Sequence, residues 1–237
     1  MPRFSILIPA RNEEQFLPRC LESIQSAAEP FPNQVEVVVA VNRCTDRTEQ
    51  IAAEHGATVV HEDAKCMAKI RNAAAKAASG EIIVTIDADS WMSRNMLVEI
   101  DRLLRTGKYV GGGVIVLPER WSLGILATCV MISLLLLRHR VSAGLFWCRR
   151  EDFEAIGGFN EELVSVEDLD FAKRLKAYGR SKERRFTTIA RAHITTSCRK
   201  FDIFGDWHLL KSREIVRRIL TGRSQKDADH FYYDVKR

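Results

Sequence analysis

Four short apolar runs separated by segments of helical periodicity constrain this chain more than any other feature. Phe4 to Pro9, Val35 to Val41, Thr58 to His61 and Glu81 to Asp87 read as strands. The second is almost wholly apolar, as a strand buried on both faces requires. Between them, Glu13 to Ala28 carries Phe16, Leu17, Cys20, Leu21 and Ile24 at helical spacing. A second helix is capped by Thr45 or Asp46 and runs to His55, with Gly56 at its C′ position. A third spans Lys65 to Ser79, and a fourth follows Ser93 from Arg94 to Thr106. This order predicts an α/β fold, a doubly wound, mainly parallel sheet with helices on both faces. Such sheets bind ligands at the carboxyl ends of their strands.

The fourth run, "EIIVTIDADS", ends on Asp87 and Asp89. Aspartate is a poor strand former, and a charge at the rim of a core needs a positive partner. In extended geometry residues i and i+2 share a side, so the two carboxylates can converge while Ala88 faces inward. Paired hard oxygens suit Mg²⁺ or Mn²⁺; a turn in which Asp89 and Ser90 cap the next helix is the structural alternative. The triplet recurs at Asp168/Asp170 and Asp227/Asp229, but only the first closes an apolar strand. Other strand ends add polar groups: Pro9, Arg11 and Glu13 after the first, and Asn42 to Asp46 after the second. Lys69, Arg71 and Asn72 lie on the helix leading to the aspartate strand.

The remaining 130 residues are less regular. Tyr109 to Leu117, Ser142 to Cys148 and Phe186 to His193 read as strands, Asp168 to Tyr178 as a helix stopped by Gly179. Asp206 to Leu220 reads as an amphipathic helix with a basic outer face. At 237 residues the chain suits a single domain, divided here into a first half (1–107), a second half (108–200) and a tail (201–237). A net charge of +5 favours anionic small partners and is too small to argue for nucleic acid. Six scattered cysteines without a C-x-x-C point to free thiols, and the amino terminus lacks a signal-peptide pattern; both suggest a cytoplasmic protein.

Taken together, "PARNEE", "VNRCTDRT", "AKIRNAAAKAASGE", "TIDADS", "IGGFNEEL" and "VEDLDFAKRLKAYG" resemble, in order and spacing, the family 2 inverting glycosyltransferases of GT-A fold. The resemblance spans about residues 4 to 180 and implies transfer of a sugar from a nucleotide-sugar donor to a sugar, lipid or small-molecule acceptor, with 1–107 as the donor half and 108–200 as the acceptor half. It implies that Pro9, Ala10, Arg11 and Glu13 line the base and ribose, and that Arg71 sits against the nucleotide. Asp87 approaches the ribose and metal, and Asp89 binds the Mn²⁺ or Mg²⁺ that bridges the diphosphate. Gly158 and Phe159 shape the acceptor side, and Asp168 is the catalytic base, with Glu167 beside it.

One motif departs from the family pattern. Two acids ordinarily open the second motif, and Val41 and Asn42 stand there instead, which leaves the donor nucleotide open. Asn42 can still hydrogen-bond a base through its amide. His193 is a candidate third metal ligand. Two other functions compete: a sugar-phosphate nucleotidyltransferase, whose glycine-rich first loop is replaced here by "PARNEE", and a non-catalytic binding subunit of the same fold.

Residues 123 to 137, "LGILATCVMISLLLL", hold no charge and precede "RHR". A spanning helix needs about 20 residues. The length therefore favours a buried helix or a subunit contact through 121–140. Peripheral contact with the inner face of a membrane, with Trp121, Arg138 and Arg140 at the interface, is the alternative.

Overall fold

The computed structural model describes residues 1–142, 144–163 and 166–211. Its strands are β1 (Phe4–Ala10), β2 (Val35–Val41), β3 (Thr58–His61), β4 (Ile82–Ile86), β5 (Ser90–Met92), β6 (Tyr109–Pro118), β7 (Leu145–Arg149) and β8 (Arg185–Thr196). Its helices are α1 (Leu17–Ala28), α2 (Thr48–Glu54), α3 (Met67–Ala77), α4 (Met96–Arg105), α5 (Leu123–His139), α6 (Arg150–Ala155), α7 (Glu167–Ser181), α8 (Arg199–Phe204) and α9 (His208–Lys211). The strands form one sheet in the order β3-β2-β1-β4-β7-β6-β8-β5.

The donor half follows the expected winding. β1 pairs in parallel with β2 on one side and with β4 on the other. Chain connections therefore diverge at the β1/β4 boundary, the switch point at which open α/β sheets place their ligands. Every residue of β1 is buried, since helices cover both faces of the sheet. One core layer joins β1 to α1 and α4 through Phe4, Ile6, Ile8, Leu17, Ile24, Met96 and Ile100. The other joins β1 to α3, α6 and α7 through Leu7, Ile70, Phe146, Phe153, Phe159 and Phe171.

The acceptor half is mixed rather than parallel. β7 runs antiparallel to both β4 and β6, while β6 and β8 run parallel, with an irregular step between Val114 and Ile115. Gly112 permits the close approach of β6 to β8, because a Cβ there would lie 1.7 Å from the Thr187 carbonyl oxygen.

Several element limits differ from the sequence reading for identifiable reasons. α1 begins at Leu17, four residues late, because Glu13 is engaged in contacts across the site. Ser93 does not cap α4: its hydroxyl accepts from the His193 amide instead. Gly179 does not stop α7. It lies inside the helix, where a Cβ would meet Val110 Cγ1 at 2.5 Å, so its small size serves packing on β6. β5, α6 and α8 are additions, and all six cysteines are free thiols. The expected tail helix beyond Lys211 lies outside the described residues.

Candidate active site

A cleft enclosing about 560 Å³, open solvent included, lies at the carboxyl ends of β1, β2 and β4. Its walls carry Pro9, Ala10, Arg11, Glu13, Asn42, Asp87 and Asp89, which the sequence had spread over 81 residues. Met67 and Ile70 of α3 add apolar surface, and Arg199 and Lys200 of α8 add positive charge.

The loops after β1 and β2 are stitched together. The Glu14 amide donates to Asp46 at 3.1 Å, the Thr45 amide to Asn12 at 2.8 Å, and the Glu13 amide to the Thr48 hydroxyl at 2.7 Å. Asp46 in turn accepts from the Thr48 amide at 3.0 Å, at the start of α2. Burial tends to raise the Asp46 carboxyl, but these hydrogen bonds outweigh it and lower the group below its ordinary range.

Asn42 is fully buried at the far end of the cleft. Its Nδ2 donates to the carbonyls of Glu62 and Ala64, the latter at 3.0 Å. Carbonyls only accept, so the amide orientation is fixed and Oδ1 faces away from them. That oxygen is buried and accepts no hydrogen bond among the described residues. An unmet buried acceptor costs about 1–3 kcal/mol.

At the rim, Asp87 and Asp89 follow β4 as expected, their side chains 43% and 21% exposed. Asp89 Oδ2 accepts from the Ser197 hydroxyl at 3.2 Å and from Arg199 Nη2 at 3.3 Å. Arg199 also grips Glu13 with both terminal nitrogens, at 2.8 and 2.9 Å. Burial opposes the Arg199 charge, but the Glu13 hydrogen bonds and the charges of Glu13 and Asp89 hold its pKa above the ordinary value. Burial, followed by the charges of Asp89, Asp87 and Glu13, pushes the Cys20 thiol far up.

Asp87 and Asp89 fit a divalent cation. Mg²⁺ and Mn²⁺ are commonly held by one or two carboxylates, with water and substrate phosphates completing the shell. Among the described residues no three His, Cys, Asp or Glu side chains form a ready cage. His193 does not join the aspartates: it is exposed and faces Ser93 across β5 and β8, whereas Ser197 faces Asp89. Four residues of strand separate the two positions, roughly 13 Å.

Arg71 joins the two halves of the site. Its side chain is 6% exposed; Nη2 donates to Asp87 at 2.9 Å, and Nη1 donates to Glu167 at 3.1 Å and also to Asp168. The guanidinium carbon sits 5.2 Å from the centre of the Phe159 ring. Arg71 therefore supports the site from within the protein, rather than lining the cleft wall. Burial, then the Asp168 charge, pushes Glu167 up to about 7. Burial also raises Asp168, reinforced by Asp87 and opposed by Arg71. Desolvation thus outweighs the favourable start of α7.

Gly158 and Phe159 act from behind. Phe159 is 1% exposed and stacks on Phe171 with ring centres 4.3 Å apart. Asn72 clamps it, accepting from its amide and donating to its carbonyl, both at 2.9 Å. The motif fixes the loop before α7 to α3, and its Gly157, Gly158 and Glu161 line a separate cleft with Asn72 and Phe153. Lys69 is exposed. The sequence reading missed Arg199 and Lys200, whose only local signal is a pair of cations just beyond a strand.

Comparison with known proteins agrees with this geometry. The family model described as glycosyl transferase family 2 matches residues 5–128. The low-salt glycan biosynthesis hexosyltransferase Agl6 of Haloferax volcanii is 35% identical over 106 residues, 45% of this chain and 25% of that protein. The S. aureus TarS 1-349 structure with UDP-GlcNAc superposes with a TM-score of 0.66 at 20% identity, over 82% of this chain and 58% of that one. The mannosyltransferase PcManGT from Pyrobaculum calidifontis, in complex with GDP-Man and Mn²⁺, gives 0.67 at 20% identity, over 95% and 66%. At that identity the structures speak for the fold, which is GT-A. Among the curated relatives, the chain spans only about a quarter of Agl6. Because the family model covers more than half of the residues and its motifs converge on one cleft, the chain belongs to glycosyl transferase family 2.

Proposed function

We propose that this glycosyltransferase moves a sugar from a nucleotide-sugar donor to an acceptor hydroxyl with inversion at the anomeric carbon, using Asp168 as general base. The observation that carries the reading is the Arg71 guanidinium, bonded at once to Asp87 on the donor rim and to Glu167 and Asp168 at the head of α7. An inverting displacement needs a cation-binding rim and a base on opposite sides of the reacting carbon, held in fixed relation.

Pro9, Ala10, Arg11 and Asn42 receive the nucleoside, with Asn42 Oδ1 accepting an N–H of the base. Uracil and guanine both present a ring N–H, so the nucleotide stays open, in keeping with the UDP-GlcNAc and GDP-Man bound to the two neighbouring structures. Asp87 and Asp89 hold Mg²⁺ or Mn²⁺, which when bound stabilises charge on the departing diphosphate. Arg199 and Lys200 add positive charge on the same wall. Asp168 takes the acceptor proton onto a carboxylate oxygen as the hydroxyl attacks. Its raised pKa strengthens it as a base, while Arg71 keeps it ionised and oriented. Glu167, held in part in its protonated form near neutral pH, limits the repulsion around Asp168.

The test begins with a thermal-shift screen of nucleoside diphosphates and nucleotide sugars with and without Mn²⁺, since ligands that bind the folded state raise its apparent stability. With the donor identified, Asp168→Asn should retain donor affinity while turnover falls by about 10² to 10⁴. Proton NMR of the product should show an inverted anomer. A retained anomeric configuration, or near-normal turnover in Asp168→Asn, would remove Asp168 from the mechanism. Donor binding without any transfer would favour the non-catalytic alternative.

A further inference from the structure

The apolar segment 123–137 is helical, as α5, and among its residues Gly124, Ile125 and Thr128 are buried while one face is exposed. Leu123, Leu126, Val130, Leu134 and Leu137 are 76%, 47%, 51%, 62% and 70% exposed. Their spacing of 3, 4, 4 and 3 residues puts them on one stripe of the helix. The stripe is about 21 Å long at 1.5 Å per residue. Beside it, Trp121, Cys129 and Ser133 help to line a shallow groove, and Trp121 is 59% exposed. A continuous apolar surface of this kind marks a contact site.

The helix is fixed at both ends, so the stripe has a defined direction. Ser122 caps it, accepting from the Ile125 amide at 3.2 Å. Arg120, just before it, pairs with Asp202 at 2.6 Å and Asp206 at 2.8 Å. Gly124 packs so closely that a Cβ would lie 2.7 Å from the Asp206 carbonyl oxygen. At the other end Lys176 Nζ donates to the carbonyls of His139 and Arg140, at 2.8 and 3.0 Å.

That second end is a cluster of cations. Arg138, Arg140, Lys173 and Arg180 are exposed around the half-buried Lys176, and among the described residues none of the five is salt-bridged to a carboxylate. The like charges are felt within the cluster: burial, then Arg180 and Arg140, lower Lys176, and burial, then Lys173, Arg138 and Lys176, lower His139. An apolar stripe ending in uncompensated positive charge matches a surface with an apolar interior and anionic phosphate headgroups. A second copy of the chain would bring only another such cluster. No helix among the described residues is long and apolar enough to cross a bilayer.

We infer that α5 is an interfacial docking helix that lies in the plane of an anionic bilayer, with Leu123, Leu126, Val130, Leu134 and Leu137 in the acyl boundary and the Arg138–Arg180 cluster on lipid phosphates. The inference is independent of the donor chemistry, and the test uses the full chain. Flotation is measured with vesicles of phosphatidylcholine alone and with about 30% phosphatidylglycerol added, at about 0.1 M salt. The protein should float with the anionic vesicles and much less with the neutral ones. Leu134→Glu/Leu137→Glu should reduce the bound fraction at least about tenfold with an unchanged circular dichroism spectrum. Arg138→Gln/Arg140→Gln should remove most of the preference for anionic lipid. This pair also decides the matter should the Leu→Glu variant fail to fold. Absence of flotation with either vesicle would overturn the inference, as would flotation indifferent to the charge variant. A dimer in light scattering that Leu134→Glu/Leu137→Glu makes monomeric, without flotation of the wild type, would assign the face to a second copy instead.

Discussion

Arg71→Met tests whether one buried cation holds the site together. Methionine keeps the length and the apolar contact with Phe159 but deletes the charge. Arg71 and Glu167 are 6% and 8% exposed, whereas Asp168 and Asp87 are 32% and 43% exposed and keep part of their hydration. The loss is therefore set mainly by Glu167, and breaking a buried pair by removing one partner costs about 3–5 kcal/mol. For a chain of this size each kcal/mol lowers Tm by about 2–4 °C, so the variant should melt roughly 6–20 °C below the wild type at pH 8. The loss should depend on pH. Without Arg71, Glu167 and Asp168 bind protons more tightly in the folded state than in the unfolded chain, where carboxylates titrate near about 4. Between the unfolded and the raised folded pKa the folded state holds the extra proton, so stability falls as pH rises through that window and is recovered below it. Burial already raises Glu167 to about 7 in the wild type, which gives a slope of the same sign but shallower. The penalty should therefore be clearly smaller at about pH 5 than at pH 8. Thermal or urea unfolding of both proteins at the two pH values measures it. An equal penalty at both, or none at pH 8, would refute the view that Arg71 neutralises a desolvated carboxylate cluster.

Asp89→Asn should abolish the Mn²⁺-dependent part of nucleoside diphosphate affinity in calorimetry while leaving Tm without ligand within a few degrees; persistent Mn²⁺ dependence would move the metal elsewhere. Arg199→Gln should weaken a nucleoside diphosphate by about tenfold, or ~1.4 kcal/mol, and leave the free nucleoside unchanged. If Arg199 only braces Glu13, Tm should drop and the two ligands should weaken alike. Gly112→Ala forces a Cβ to within 1.7 Å of the Thr187 carbonyl oxygen, so β6 and β8 must part. Overpacking of this kind costs about 1–3 kcal/mol or more, and an unchanged thermal midpoint would show that the contact gives way cheaply.

The donor half was legible because its signals are local. Apolar runs such as "VEVVVAV" fix buried strands, and the polar residues that follow them must then emerge at one edge of the sheet. That logic brought Pro9, Asn42, Asp87 and Asp89 to one cleft without reference to distant contacts. The acceptor half was less legible because its pairings are not local. A strand such as β7 reads alike in either direction, and only its partners β4 and β6 make it antiparallel. Arg199 meets Asp89 across 110 residues, and Arg71 meets Asp168 across 97. No spacing rule within a short window encodes either contact. The burial of Phe159 and Arg71 was equally invisible: a motif shows that a residue type is used, but not whether it touches ligand or supports what does.

The charge pattern of the site has a consequence for how donor and base are coupled. Asp87 shares Arg71 with Glu167 and Asp168, while Asp89 shares Arg199 with Glu13. Each rim aspartate is thus tied to a different cation and a different element, α3 in one case and α8 in the other. On the proposed metal assignment, a divalent cation at Asp87 and Asp89 would compete with both guanidinium groups for the same carboxylates. Weakening the Asp87–Arg71 contact leaves Arg71 more strongly committed to Glu167 and Asp168, and a carboxylate nearer to a cation is better held in its ionised form. On the proposed mechanism, loading the donor side would therefore favour the deprotonated form of Asp168 through Arg71. Coupling of this kind is reciprocal, so removing the Asp168 charge should also change the affinity of the rim for metal. Mn²⁺ titrations of Asp168→Asn beside the wild type should show a measurable difference in affinity. Identical affinities would mean that the two ends of the cluster act independently and that Arg71 is only a structural brace.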